Sequence, residues 1–251
     1  MSEQSEKDSP TPQDEPAERQ NAVAEIRLDF EREARTGIPE VVYAGVKPDD
    51  QVIAIVRAFL DRNGHAVVSR LRQRTAERLL SEFADCRVDL RRRARAAALH
   101  APGYVAPHTG GCIGILTAGT ADVPVAEEAS LVAQEMGCES VMLHDVGVAG
   151  LHRLLSSFGD LMAHDPAALI VCAGMDAALA SVVAGLANVP VIGVPTRTGY
   201  GVGGHGRAAL LAMLQSCAPG LVVTNVGNGV GAGATAALIA NRVATARTYQ
   251  S

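Results

Sequence analysis

The residues best able to do covalent chemistry are five cysteines, Cys86, Cys112, Cys138, Cys172 and Cys217, and two carboxylates, Asp122 and Asp176, that fall where apolar runs end. No two cysteines form a CxxC pair and no Cys/His cluster has the spacing of a zinc site, so each thiol either packs or reacts alone. Cys217, in SCAPG, sits at the end of a predicted helix just before Pro219 and Gly220. A buried, inert cysteine is the ordinary occupant of such a place. The carbonyl end of a helix dipole also disfavours a thiolate, so a reactive Cys217 needs a cation beside it.

Asp122 closes the segment TAGTAD, residues 117–122, which ends a predicted strand and enters a helix. Backbone amides at such a turn hold phosphate or carboxylate groups, and the Thr120 hydroxyl can assist. Asp122 itself reads equally well as a helix N-cap. No G-x-G-x-x-G follows this strand, so the dinucleotide fingerprint is missing there. Two Gly-rich stretches, GYGVGGHG at 199–206 and GNGVGAGA at 227–234, fall at later strand ends where backbone can approach a ligand closely. These loops make Gly174, Thr196, Gly199, Tyr200, Asn225, Asn228 and Gly229 candidate substrate contacts. No two of the seven histidines form an i, i+4 pair on one helix, and only His205, inside a Gly-rich loop, is nominated. Arg153, in GLHRLL, is either a solvated helix residue or a contact to substrate phosphate.

What must position these groups is a run of alternating elements. CIGILTA, SVMLHDV, ALIVCAG, VPVIGVPT and LVVTNVG have strand character, and each is followed by a segment of helical period. Such alternation predicts an α/β fold, a three-layer α/β/α sandwich around a parallel sheet whose carboxyl ends carry the site. A Pro/Gly cluster, APGYVAPHTGG at 101–111, marks a boundary, giving a second domain over 109–251. Residues 21–108 read as a small α/β module. It has helices through AVAEIRLDFEREART, KPDDQVIAIVRAFLDR and TAERLLSEF, strand-like EVVYAG and AVVSRL, and a dense basic run in CRVDLRRRARAAALHA. Residues 1–20 carry almost no apolar side chains and are expected to lack fixed structure.

With 48% hydrophobic residues, 3% aromatics, no Trp and a net charge of −5, the chain has neither a global field for phosphate polymers nor rings for stacking bases, which argues against nucleic acid. No apolar run matches a bilayer and the acidic N-terminus does not read as a secretory signal, so the expectation is a cytoplasmic protein with free thiols and no membrane partner.

The stretch AGMDAALASVVAGLANVPVIGVP, residues 173–195, together with GTAD, resembles the PurE fold, whose enzymes carboxylate or rearrange aminoimidazole ribonucleotide. PurE enzymes place an essential His where this chain has Ala178, and without that acid/base the PurE reaction itself is rejected. The order of GTADVPVAEEA, LHDVGVAGLHRLL, AGMDAALASVVAGLANVPVIGVPT, GYGVGGHGRAALLAMLQSCAPG and VVTNVGNGVGAG resembles the LarB family, as does LDFEREARTGIPEVVYAGVK near the start. Asp176, Ala180 and Gly227 depart from it, standing where members usually carry Glu, Pro and Asp.

The resemblance implies a carboxylase/hydrolase that converts nicotinic acid adenine dinucleotide (NaAD) and CO2 into pyridinium-3,5-biscarboxylate mononucleotide and AMP, a step of nickel-pincer cofactor synthesis. It implies Cys217 as nucleophile, Asp122 or Asp176 as base, Mg²⁺ assistance and a homo-oligomer, in the family an octamer. The pyridinium would itself supply the cation that Cys217 needs. Two other readings stand beside it: a different PurE-like carboxylase or mutase of a ribonucleotide, and a nucleotide-binding module without turnover.

Overall fold

The computed structural model describes residues 27–249. The tail expected to lack fixed structure, residues 1–20, lies outside them. Strand β1 (Val41–Tyr43), helix α2 (Asp49–Asn63), β2 (His65–Ser69), α3 (Gln73–Glu82), β3 (Arg87–Arg91) and β4 (Ala96–His100) follow the short helix α1 (Arg32–Thr36). They make a four-stranded mixed sheet of order β1-β2-β4-β3, in which β1 and β2 are parallel and the other pairs antiparallel. Helix α2 begins after Pro48 and stops at Gly64, whose φ of 78° only glycine adopts without strain. The helix expected from 22 to 36 is shorter in its described part, where 27–31 leave the helical path. Two contacts divert the chain there. The Phe30 ring packs edge-on against Phe59 at 5.2 Å, and Asn63 donates to the Phe30 carbonyl, which helical propensity does not outweigh.

The second sheet is built by β5 (Cys112–Thr117), β6 (Glu139–Leu143), β7 (Leu169–Ala173), β8 (Val191–Pro195) and β9 (Leu221–Val223). All five strands are parallel in the order β6-β5-β7-β8-β9. Helices α4 (Val123–Glu135) and α8 (Gly229–Thr248) cover one face, packing on Ile113, Ile115, Ile170 and Ile192. Helices α5 (Leu151–Ala163), α6 (Ala178–Leu186) and α7 (Arg207–Leu214) cover the other, packing on Leu116, Leu169, Val171 and Val191. Strict alternation along the strands thus makes the three-layer α/β/α sandwich with a parallel sheet. Among the described residues no helix is long and apolar enough to cross a membrane.

Helix α4 is covered on both sides, because the first sheet packs on its outer face through Ala94, Ala96 and Ala98 against Leu131. Glu128 and Glu135, two helical turns apart, therefore share one buried face with Leu131. Each carboxylate needs a partner from the first module. Glu128 accepts from Ser69 Oγ at 2.8 Å and lies 3.6 Å from Arg70 Nε. Glu135 accepts from His100 Nε2 at 2.9 Å and His65 Nδ1 at 3.4 Å, while His65 Nε2 donates to Glu33 at 2.8 Å. Tyr104 stacks on both imidazoles. An imidazole with a carboxylate at each nitrogen is a double donor, hence a cation. Burial alone would lower the His65 pKa, but the bonds to Glu135 and Glu33 outweigh it and raise it to about 9.

Candidate active site

The strand order reverses direction about β5: the chain passes from β5 to β6 on one side and then to β7 on the other. In open parallel sheets the crevice opens at this switch, beyond the carboxyl ends of the two strands that flank it, here β5 and β7. Their loops are residues 118–122 and 174–177. The β6 loop closes one flank, with Val146 N–H donating to the Thr117 carbonyl and Gly147 N–H to that of Ala118. The β8 loop closes the other, with Met175 N–H donating to Thr198 O at 2.7 Å.

At the floor lies Asp122, buried at 2% exposure. Asp122 does stand at the N-cap position of α4, as one reading of the sequence expected, but its carboxylate makes no cap bond to that helix. One oxygen accepts from Gly119 N–H at 3.0 Å, and the other accepts from the hydroxyls of Thr196 at 2.5 Å and Thr198 at 3.1 Å. A carboxylate offers about four acceptor positions, so roughly one stays unspent. Asp122 thus pins the β5 loop to the β8 loop and orients two hydroxyls.

Gly174 lies against these groups without a side chain. A Cβ there would sit 2.3 Å from the Thr198 carbonyl oxygen and 2.8 Å from Thr196 Oγ1. Gly174→Ala is expected to cost about 1–3 kcal/mol of stability and to break the Asp122–Thr196 contact. Thermal melts read the first effect, and loss of ligand-induced stabilisation the second. Asp176 is exposed at the mouth, its carboxylate engaged, among the described residues, only by the Ala178 N–H at 3.4 Å. Met175 and Ala177 on either side of it hold φ of 53° and 51°. Left-handed backbone at two non-glycine residues flanking a carboxylate is strain of the kind that concentrates at functional sites.

The remaining sequence-derived candidates divide. Thr120 is exposed in a short 3₁₀ turn, and Tyr200, at 82% exposure, and His205, with φ of 61°, stand in the open 199–206 loop. A Cβ on Gly199 would meet the Met175 backbone at 3.7 Å, so this glycine packs the β8 loop against the β7 loop. Asn228 spends its side-chain oxygen capping α8 through Gly231 N–H, and Asn225 turns its oxygen onto Val226 N–H. Gly229 packs against the Val125 carbonyl and Glu128. Arg153, in the first turn of α5, is ion-paired with Asp145 at 2.6 Å and would have to share that partner with a phosphate.

Cys217 lies apart from all of these. Helix α7 ends at Leu214, earlier than the sequence suggested, because the Ser216 hydroxyl accepts from Ala218 N–H and bonds to Ser181 on α6. The thiol is therefore exposed in the connection to β9 and neither buried nor at the helix end. That connection enters the sheet at its amino edge, where Gly220 O accepts from Val191 N–H. Asp122 and Thr196 lie at the opposite edge, a strand length away, roughly 16 Å at about 3.3 Å per residue.

Two family descriptions match consecutive segments: a LarB/PurE-like N-terminal domain over residues 21–101 and AIR carboxylase over residues 112–250. The chain belongs to the LarB family. It is also 40% identical over 220 residues to an uncharacterised protein of Methanocaldococcus jannaschii, covering 86% of this chain and 84% of that relative.

Within the LarB family frame, the carboxylase-type chemistry must be done without the PurE histidine, since Ala178 is the first residue of α6 and has no titratable group. The Mg²⁺ expected by resemblance finds no preformed cage. Asp122 already accepts three hydrogen bonds, Asp145 is held by Arg153, and Asp176 accepts from Ala178 N–H. Among the described residues no group of three His, Cys, Asp or Glu side chains is placed to hold a metal ion. A resident all-protein Mg²⁺ cage is therefore not formed among the described residues, and no step is routed through the ion. Sequence reasoning missed Thr198 and the Arg70–Glu128 pair, whose guanidinium also donates to the Gly227 carbonyl beside the site. Glu128 and Glu135, seven residues apart and so on one face of the same helix, were the available signal for buried carboxylates that need partners.

Proposed function

We propose that the chain carboxylates and then hydrolyses NaAD, giving pyridinium-3,5-biscarboxylate mononucleotide and AMP through a covalent bond to Cys217. The observation that carries this reading is the standing of the five thiols: Cys217 alone is exposed. Burial pushes the pKa of Cys86 and Cys112 up, that of Cys138 to about 12, and that of Cys172 higher still. None of those four is fit to supply a thiolate near neutral pH.

The Cys217 thiolate adds to the ring carbon para to the pyridinium nitrogen, forming a C–S bond and moving an electron pair onto nitrogen. The remaining meta carbon of this dihydropyridine is an enamine and attacks CO2, forming the C–C bond and leaving an iminium. A base takes the proton from that carbon, and expulsion of the thiolate restores the aromatic ring. Water then cleaves the phosphoanhydride to release AMP. Asp176, with a free carboxylate at the crevice mouth, is better placed to move the proton than Asp122, which holds Thr196 and Thr198 toward the ligand.

Because Cys217 and the Asp122 crevice lie at opposite sheet edges, the reaction needs two copies of the chain, one offering the thiol and the other the crevice. Leu211 and Leu214 on α7, each 63% exposed, and Val222 on the edge strand β9, 57% exposed, surround the Cys217 connection with apolar surface that a second copy would cover. The test is to incubate the protein with NaAD and ¹³C-bicarbonate and follow AMP and the labelled product by mass spectrometry. Expected are equimolar AMP and a product heavier by one labelled carboxylate. AMP without label, or neither, removes the carboxylase reading.

A further inference from the structure

On the first module, the start of α3 and the β3–β4 turn enclose a cleft of about 420 Å³. It is lined by Leu71, Arg72, Gln73, Ala76, Leu90, Arg92 and Arg95, with no acidic side chain among them. The chain as a whole carries a net charge of −5, so three arginines around one cleft run against its overall balance. Nothing in the reaction above uses them.

Two of the three are held in place with donors to spare. Arg95 donates from Nε to the Leu71 carbonyl, and Leu71 N–H donates back to the Arg95 carbonyl. Arg95 takes φ of 55°, the left-handed backbone that a non-glycine residue adopts only when its surroundings impose it. Its two terminal nitrogens have no partner among the described residues. Arg72 is tethered through one nitrogen to the Lys47 carbonyl and to Asp49 at 2.7 Å, leaving its other terminal nitrogen without a partner among the described residues. Arg92, exposed on the turn, has no side-chain partner among the described residues. Rigid guanidinium forks with unspent N–H groups match the oxygens of a phosphate, and fixing them beforehand removes part of the ordering cost of binding.

Leu71, buried at 2%, Ala76 at 6% and half-buried Leu90 give the same cleft an apolar floor, with the Gln73 amide at its edge. Its volume falls within the roughly 300–1,000 Å³ common for small-molecule sites. We propose that this cleft is a second ligand site, binding a phosphate monoester carried on a ring-sized apolar body, a nucleoside monophosphate in chemical class. It does not depend on the NaAD reaction and stands or falls separately from it.

The test uses the full chain and three probes, AMP, adenosine and inorganic phosphate, read by amide hydrogen exchange and calorimetry. AMP is expected to slow exchange across 71–76 and 90–95, adenosine to leave it unchanged, and inorganic phosphate to bind more weakly than AMP. Arg92→Gln touches no partner and so leaves the fold intact; it is expected to weaken AMP at this site about tenfold, and Arg92→Gln/Arg95→Gln further. Equal affinity for inorganic phosphate and AMP keeps the anion site and assigns it to free phosphate. Protection confined to the loops at 118–122 and 196–206, equal protection by adenosine, or unchanged AMP affinity in both variants overturns the proposal.

Discussion

Cys217→Ser is expected to lower carboxylation of NaAD on the order of a thousandfold or more, because a serine hydroxyl is nearly isosteric with the thiol but far less nucleophilic near neutral pH. Since residue 217 is exposed, the fold should change by no more than about 0.5 kcal/mol. Cys172→Ser, in the fully buried strand β7, should show the reverse: a loss of roughly 1–3 kcal/mol from burying an unpaired hydroxyl, with turnover persisting in the folded fraction. Initial rates and melting temperatures of both variants check this. The same pair of sheet edges allows a sharper measurement. Asp122→Asn should also be inactive, yet mixing unfolded Cys217→Ser and Asp122→Asn chains and refolding them together should restore part of the activity, because some sites would combine an intact thiol with an intact crevice. No recovery from a mixture that demonstrably co-assembles would place the whole site within one chain and rule out the shared arrangement.

The second large effect falls on stability. Glu135→Ala leaves His65 and His100 buried against Tyr104 without the carboxylate they share, and removing one member of such a buried pair costs about 3–5 kcal/mol. Denaturant unfolding measures it directly. The cluster also sets a pH dependence. The His65 pKa rises from 6.5 unfolded to about 9 folded, so its contribution is complete below about 6.5 and is lost as pH climbs through 9. For Glu135, burial works against the charge, but the bonds from His65 and His100 prevail and its pKa falls below 4.5. Its contribution is therefore present above 4.5 and is lost in more acid solution. Wild-type melting temperature should be highest near pH 5 to 6 and decline toward pH 9, and Glu135→Gln should flatten that decline. An equally steep alkaline decline in the variant would show that His65 is not its source.

How much of this was legible beforehand follows from the range of each interaction. The βα alternation, the parallel sheet and the stops at Gly64 and Asn63 are local matters of apolar period and backbone freedom, and the chain spells them out. The crevice residues were also legible, because strands of a parallel sheet bring all their carboxyl ends to one edge whatever their order. Motif order was enough to suggest the family, since AGMDAALASVVAGLANVPVIGVPT and its neighbours keep their sequence along the chain.

Other assignments depended on groups far apart in sequence. Helical period said nothing of Phe30 meeting Phe59 or Asn63, and so overran the true start of α1. Asp122 looked like a cap because a cap is the local option. Only the return of the chain at Thr196 and Thr198, more than seventy residues later, gives its carboxylate better partners. The histidines were set aside for want of a helical pair, yet His65 and His100 are directly opposite on adjacent strands and meet on Glu135 of the second domain. Cys217 was identified by its motif, but its exposure and its place at the far edge of the sheet follow from the path of α7 into β9. Composition and periodicity thus determined the layers and the loops that gather at the carboxyl edge of the sheet. Tertiary structure decided which charges are buried and what pairs them, because burial and electrostatic partnership are set by distance in space and not by spacing along the chain.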